Sequence, residues 1–386
     1  MGNKFMKTGI SLYFSNGVEK NEAIIRKARK AGIRYAFTSM HIPEETGIDY
    51  RGDARKLLEQ CRDAGINLIV DVSPVTLEKL GCASFDELLS LGITYIRLDF
   101  GFTAEETVAL SEKFHIVFNA STISQEDIQN WAAAGADFTR FAACHNYYPK
   151  PYTGLSLDRV KEMNQRLKIL GFTTMAFVPG NSELRGPLCE GLPTVEEHRF
   201  SRDEVLLHML ELYQADSDIV LVGDNDVTEE VWTQLAALSK GYVALHADIL
   251  PGYEFERAVI HHDRPDSSEY VIRSQESRFN CRDRVIAGDT AGEPSGQRLA
   301  GKICIANEAY LRYMGELEIC RVDMPSDPRV NVIGQEMCIR DRDYAFSRPG
   351  GFSGVLDEES GAHDETDRRT GRNPVLHTVY TDRIRP

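Results

Sequence analysis

One unit recurs through the first 245 residues and narrows the possible folds more than anything else in the chain. An amphipathic stretch ends in a glycine, and a short β-rich run follows that closes on an acidic or polar residue. It reads KARKAGIRYAFTS around Gly32, QCRDAGINLIVDVS around Gly65 and LLSLGITYIRLDF around Gly92. It returns as WAAAGADFTRFAA around Gly135 and LKILGFTTMAFVP around Gly171. Each glycine falls where a helix must stop in a left-handed turn. The runs after them are nearly continuous in apolar residues, as in strands covered on both faces. Such runs occupy Gly9–Phe14, Tyr35–Thr38, Asn67–Asp71, Tyr95–Asp99, Ile116–Asn119, Phe138–Ala142, Thr173–Val178 and Ile219–Gly223. A helix is predicted after each, the last over Thr228–Leu238. Eight βα units over about 240 residues predict a TIM (β/α)8 barrel. A doubly wound open sheet is the alternative, but its first turn is usually glycine-rich, and Ser15–Val18 holds only Gly17.

The pattern changes after Leu245, so residues 1–245 are assigned to the barrel and 246–256, with Pro251 and Gly252, to a linker. A smaller β-rich domain is expected over 257–336, with strands at Ala258–His261, Tyr270–Arg273, Lys302–Ala306, Glu316–Val322 and Val330–Ile333. Residues 337–386 read as foreign or as a disordered tail. Met337–Arg342 can be encoded by the end sequence of a transposon widely used to prepare sequencing libraries. No lysine occurs after Lys302, and Asp343 onward lacks a sustained apolar period.

Charge sets limits on partners. The 386-residue chain has a net charge of −15, which disfavours nucleic acid and anionic membrane surfaces. No apolar run approaches a membrane span, and Met1–Thr8 lacks the features of a signal peptide. The eight cysteines form no CxxC pair or zinc spacing, so reduced thiols and a cytoplasmic location are expected. No metal or organic cofactor is called for, and His261–His262–Asp263 reads as a solvated strand end. A homo-oligomer is left open.

In a barrel of this kind the chemistry gathers at the C-terminal strand ends. Those ends offer Ser39 and His41, then Asp71, Asp99 and Asn119, then His145, Asn146 and Tyr147, and finally Asp224. The seventh strand leads into a long loop, Pro179 to Arg199, and loops of that length are usually functional. Asp99 and Glu183 are the foremost candidates, two carboxyl groups facing across the mouth as glycoside cleavage requires. Asp71 competes with them. The loop His145–Ser156 mixes aromatic faces, including Tyr152, with polar donors suited to sugars. Arg185, Glu190 and Arg199 lie in the seventh loop, where an arginine fork could bind a carboxylate or phosphate. Each has a plain structural alternative, as a rim ion pair or a loop-packing residue.

Five phrases together resemble the bacterial 6-phospho-N-acetylmuramidases, glycoside hydrolase family 170. They are GISLYF (9–14), FTSMHIPE (37–44), RLDFGF (97–102), NYYPKPYTGL (146–155) and RGPLCEGLPT (185–194). GKICIANEAYLRYMGELEI (301–319) and DPRVNVIG (327–334) are similar to the same family, so the likeness spans about residues 7–335. The resemblance implies a TIM barrel with a C-terminal cyclophilin-like domain. It also implies cytoplasmic hydrolysis of the bond between N-acetylmuramic acid 6-phosphate and N-acetylglucosamine in peptidoglycan recycling. Such a phosphorylated disaccharide carries two anionic groups, for which Arg185, Arg199 and Lys150 are candidates, with Ser39 or His41 assisting. Two rival readings remain: a Schiff-base aldolase or lyase using Lys150, and a non-catalytic sugar-phosphate-binding protein.

Overall fold

The computed structural model describes residues 6–39, 50–72, 74–98, 101–256, 260–266, 268–288, 297–336, 352–357 and 376–382. The chain divides into two compact units, Met6–Ser239 and Lys240–Pro386, the latter with Met1–Phe5.

The first unit is a closed parallel barrel of eight strands in sequence order. They are β1 (Lys7–Ser11), β2 (Tyr35–Ser39), β3 (Asn67–Val72), β4 (Tyr95–Leu98), β5 (His115–Asn119), β6 (Phe141–Cys144), β7 (Thr173–Val178) and β8 (Ile219–Val222). β1 closes the ring on β8 through Lys7↔Ile219 to Gly9↔Leu221. The helices are α1 (Gly17–Lys30), α2 (Tyr50–Ala64), α3 (Pro74–Leu80), α4 (Phe85–Ser90) and α5 (Ala104–Ser111). They continue as α6 (Gln125–Ala133), α7 (Leu157–Ile169), α8 (Val205–Gln214) and α9 (Glu229–Ser239).

Local chemistry sets the helix ends. Gly32, Gly65, Gly92, Gly135 and Gly171 all have positive φ, as the recurring unit predicts. Thr103 with Glu106, and Ser124 with Asp127, form capping boxes that start α5 and α6. Inside the barrel, Tyr35, Phe37, Ile69, Val117, Ala142, Met175, Phe177, Ile219 and Leu221 pack into one cluster, so the interior is a filled core.

Two barrel strands start two or more residues away from the sequence reading. The first strand begins at Lys7 and ends at Ser11, earlier than Gly9–Phe14. Phe138–Arg140 is a 3-10 turn and β6 begins only at Phe141. There the Asp137 carboxylate accepts the Thr139 amide at 3.0 Å and bends the chain before the strand can start.

The second unit contains an antiparallel sheet of eight strands. They are β9 (Tyr242–Ile249), β10 (Ile260–His262), β11 (Val271–Arg273), β12 (Lys302–Ala306), β13 (Leu317–Cys320), β14 (Val330–Glu336), β15 (Phe352–Asp357) and β16 (Leu376–Asp382). Their spatial order is β10-β15-β16-β9-β14-β12-β13-β11. β9 runs through the residues read as barrel end and linker. Pro251 and Gly252, which suggested the linker, form the turn just after it. β15 and β16 lie within the segment read as foreign and pair from Phe352↔Asp382 to Asp357↔His377. His261 and Asp263 are buried, contrary to the solvated strand end expected. His261 bonds the Ser274 hydroxyl at 2.8 Å, and Asp263 pairs with Arg321 at 3.3 Å.

Candidate functional site

Strand alternation decides which side chains enter the barrel mouth. Tyr35 and Phe37 of β2, Ile69 of β3 and Tyr95 of β4 pack in the interior cluster or against it. Two residues further along each strand lie Ser39, Asp71 and Arg97. These three are lateral neighbours in the sheet, Ser39 opposite Asp71 and Asp71 opposite Arg97. The Arg97 guanidinium reaches Asp71 at 3.6 Å and donates to the Asn146 side-chain oxygen. Both ions are largely enclosed, so the pair is screened far less than a surface salt bridge.

Aromatic rings form the floor. Tyr147 sits edge-on to Phe37 at 6.1 Å and to Phe177 at 5.1 Å. Tyr13, just beyond β1, is fully buried and donates its hydroxyl to the Gly223 carbonyl. Burial pushes the Tyr13 phenol well above its ordinary pKa, with Tyr147 beside it adding to the rise. The Arg185 guanidinium lies over the Tyr13 ring, 4.2 Å from its centre.

Asp224 holds the Arg185 segment in place. Its carboxylate is buried and accepts backbone amides from Arg185 at 2.9 Å, Gly180 at 2.8 Å and Leu192 at 3.0 Å. Burial raises its pKa, and the three amides pull the other way. Neighbouring Gly223 permits the close approach of this loop, since a Cβ there would stand 2.4 Å from the Leu192 carbonyl oxygen. Asp224 thus organises the seventh loop.

Several other sequence candidates are also committed to the protein. Arg199, expected to grip an anion, spends all its donors internally. Nε bonds Glu196 at 2.7 Å, and Nη1 bonds the Glu190 and Gly191 carbonyls at 3.0 and 2.8 Å. Nη2 bonds the Tyr148 carbonyl at 2.6 Å and Glu196 at 3.1 Å. His145 is fully buried and bonds Asn164 of α7 at 2.9 Å, and burial lowers its pKa. Asn119 bonds the Ser121 amide at 3.0 Å and lines a separate cavity of about 420 Å³ with Phe118 and Trp131.

The remaining candidates sit on the rim. Lys150 and Glu190 are exposed, and Tyr152 is 81% exposed. Glu183 has a half-exposed side chain paired with Lys20 of α1, and its carbonyl accepts the Asn225 and Asp226 amides. Asp99 and His41 lie outside the described residues.

Sequence reasoning passed over Tyr13, although its place two residues beyond Ser11 on the inward-facing side was a usable signal. It also missed a buried cluster of His198, His208 and Glu211. The two imidazoles stack face to face, with centres 4.1 Å apart and planes 17° apart. Rings this nearly parallel carry their in-plane lone pairs nearly parallel too, a poor arrangement for two nitrogens on one tetrahedral ion. Instead Glu211 Oε2 lies 2.9 Å from His198 Nε2 and 3.4 Å from His208 Nδ1, while His208 Nε2 reaches the Ser201 carbonyl at 2.8 Å. Hydrogen bonding explains this cluster better than metal binding does. Among the described residues no helix is long and apolar enough to cross a membrane.

Fold and mouth together define a (β/α)8-barrel protein with polar and cationic side chains gathered at the C-terminal strand ends. The chain belongs to the 6-phospho-N-acetylmuramidase family. That family's N-terminal model matches residues 8–237 and its C-terminal model residues 243–341. The name denotes enzymes of the glycosidase type. A crystal structure of a conserved Enterococcus faecalis protein described as of unknown function is 32% identical, with a TM-score of 0.70 over 88% of this chain and 92% of that one. A B. cereus protein described as uncharacterized is 26% identical, with a TM-score of 0.66 over 90% of this chain and 96% of that one. No curated protein matches the chain.

Proposed function

We propose that this chain is a cytoplasmic hydrolase acting in peptidoglycan recycling. It would cleave the glycosidic bond between N-acetylmuramic acid 6-phosphate and N-acetylglucosamine. The observation that carries the reading, beside the family match, is Arg185. Its guanidinium is laid over Tyr13 next to the polar mouth, and its backbone is fixed by Asp224. A planar cation held by an aromatic face suits an anionic oxygen of the substrate, the phosphate or the lactyl carboxylate. With Arg199 committed to loop contacts, Arg185 takes the anion-binding role, and exposed Lys150 is the remaining cation of that group. The β unit is proposed to be cyclophilin-like.

Cleavage needs one carboxyl group to protonate the leaving oxygen and a second to attack the anomeric carbon or activate water. Asp99 and Glu183 are proposed for these roles. A second assignment replaces Glu183 with Asp71. Asp71 lies in the mouth beside Arg97, whereas Glu183 stands on the rim in an ion pair with Lys20. Incubating the protein with the phosphorylated disaccharide and assaying free N-acetylglucosamine tests the function. Product should appear with the wild type and disappear with Asp99→Asn. Comparing Glu183→Gln with Asp71→Asn decides between the second carboxylates, because only the catalytic one abolishes turnover. Intact disaccharide recovered from the wild type would leave a binding protein. Borohydride trapping of a substrate imine at Lys150 would point to the aldolase class instead.

A further inference from the structure

The seventh loop faces two ways. Arg185 reaches the barrel mouth, while Ser182 and Leu184, on either side of Glu183, line a second open cleft of about 860 Å³. Pro151 and Tyr152 of the sixth loop, Gly180 and Asn181, Glu190, and the segment Arg199–Glu204 complete its walls. This volume is within the range of small-molecule sites.

Two large aromatic rings are displayed here to solvent. Tyr152 is 81% exposed and Phe200 is 61% exposed. Their centres are 5.6 Å apart and their planes inclined by 36°, a shallow aromatic platform. The display is built rather than loose. Tyr152 takes a positive φ of 64°, uncommon for a residue with a side chain. Glu196 fixes it there by accepting the Tyr152 amide at 2.6 Å and the Gly154 amide at 2.7 Å. A Cβ at Gly154 would meet that carboxylate at 2.6 Å and the Glu196 backbone nitrogen at 3.0 Å. Glu196 is held in turn by Arg199, whose bonds also reach Tyr148, Glu190 and Gly191. Phe200 follows Arg199 directly. Two aromatic rings therefore stand side by side on a clamped backbone and face water, and their apolar faces cost free energy there unless a ligand covers them.

Charge narrows the ligand. Glu190, Asp203 and Glu204 line the cleft against Arg202, because the charge of Arg199 is already met by Glu196. An anionic phosphate or acidic peptide is disfavoured, and a neutral ring with one apolar face and several hydroxyls is favoured.

We infer that this cleft is a hexosamine subsite, in which the uncharged N-acetylglucosamine of the substrate stacks on Tyr152 and Phe200. The inference rests on the glycosidase reading. It deepens that reading by separating the anionic sugar, at Arg185, from the neutral one, at the platform. Binding energy collected here is remote from the bond being cleaved and can be used at the reacting centre.

Saturation-transfer NMR with free N-acetylglucosamine tests the subsite without needing turnover. The wild type should saturate the sugar's ring protons, and Tyr152→Ala and Phe200→Ala should lose most of that signal. In titrations each variant should bind the sugar about tenfold more weakly, as expected when one stacked face is removed. Both side chains are exposed, so circular dichroism should show both variants folded. Wild-type hydrolysis of the disaccharide, with sugar saturation as strong in the variants as in the wild type, would overturn the subsite and leave the glycosidase reading standing. Sugar saturation that vanishes in the variants, without any hydrolysis by the wild type, would support the subsite and overturn the glycosidase reading. Preferential saturation of an alanyl-glutamate peptide, abolished in Tyr152→Ala, would reassign the cleft to peptide and refute the inference.

Discussion

Replacing Asp224 with alanine strikes the point where the seventh loop is tied to the barrel. Its carboxylate accepts three backbone amides, from Gly180, Arg185 and Leu192, and all three lose their acceptor together. An orphaned buried donor costs about 1–3 kcal/mol, so the three together cost about 3–5 kcal/mol after some water enters the gap. Asp224→Asn is milder. It keeps one oxygen, which suits Gly180 and Leu192 because both already bond Oδ2, and turns its amide toward the Arg185 N–H. One donor facing another costs about 1–3 kcal/mol, and relief of the buried charge returns part of it. Urea unfolding at pH 7 should therefore rank wild type above Asn above Ala. Activity on the phosphorylated disaccharide should fall in both variants, because the Arg185 backbone is released. An alanine variant within about 0.5 kcal/mol of wild type, the range of ordinary surface substitutions, would refute the claim that this carboxylate holds the loop.

Two further predictions concern pH and one concerns charge geometry. Burial alone would raise the pKa of Glu211, but hydrogen bonds from His198 and His208 bring it down to about 2. Its folded pKa is thus depressed, so its contribution is present above the unfolded value near 4.5 and lost as pH falls toward 2. That contribution is on the order of 3 kcal/mol, and Glu211→Gln should flatten the urea midpoint over this interval. Glu256 behaves oppositely, because burial pushes it up to about 7 despite its bond from Cys281. Its contribution is then greatest below about pH 4.5 and is lost as pH rises through 7, so Glu256→Gln should raise Tm more at pH 8 than at pH 5. Lysine in place of Arg199 has three donors for five bonds and should cost about 2–4 kcal/mol. Amide exchange at Tyr152 and Gly154 should quicken in that variant, and unchanged exchange would contradict the described clamp.

The parts of the fold legible in the sequence were those set by local chemistry. Gly65 followed by Asn67–Asp71 announces a helix stop and a buried strand, because each depends only on near neighbours and burial on both faces. The Asp137 side chain, which turns the chain before β6, is a local effect too, but the apolar run from Phe138 hid it. β9 was missed because Pro251 and Gly252 overshadowed the eight strand residues before them. At the site, alternation could place Ser39 and Asp71, as it rests on a period of two. Arg199 misled because three of the groups it bonds are the carbonyls of Tyr148, Glu190 and Gly191, and backbone carbonyls leave no trace in a sequence. His145 misled similarly, its partner Asn164 lying on the helix that follows.

The Arg199 contacts join the sixth and seventh loops so that neither can be redesigned alone. A graft of the Tyr152 platform onto another barrel would have to carry residues 148–154 and 190–200 as one cassette. Lengthening either loop by a residue would misalign both rings, so natural variation in reach beyond the barrel mouth is expected outside these two stretches.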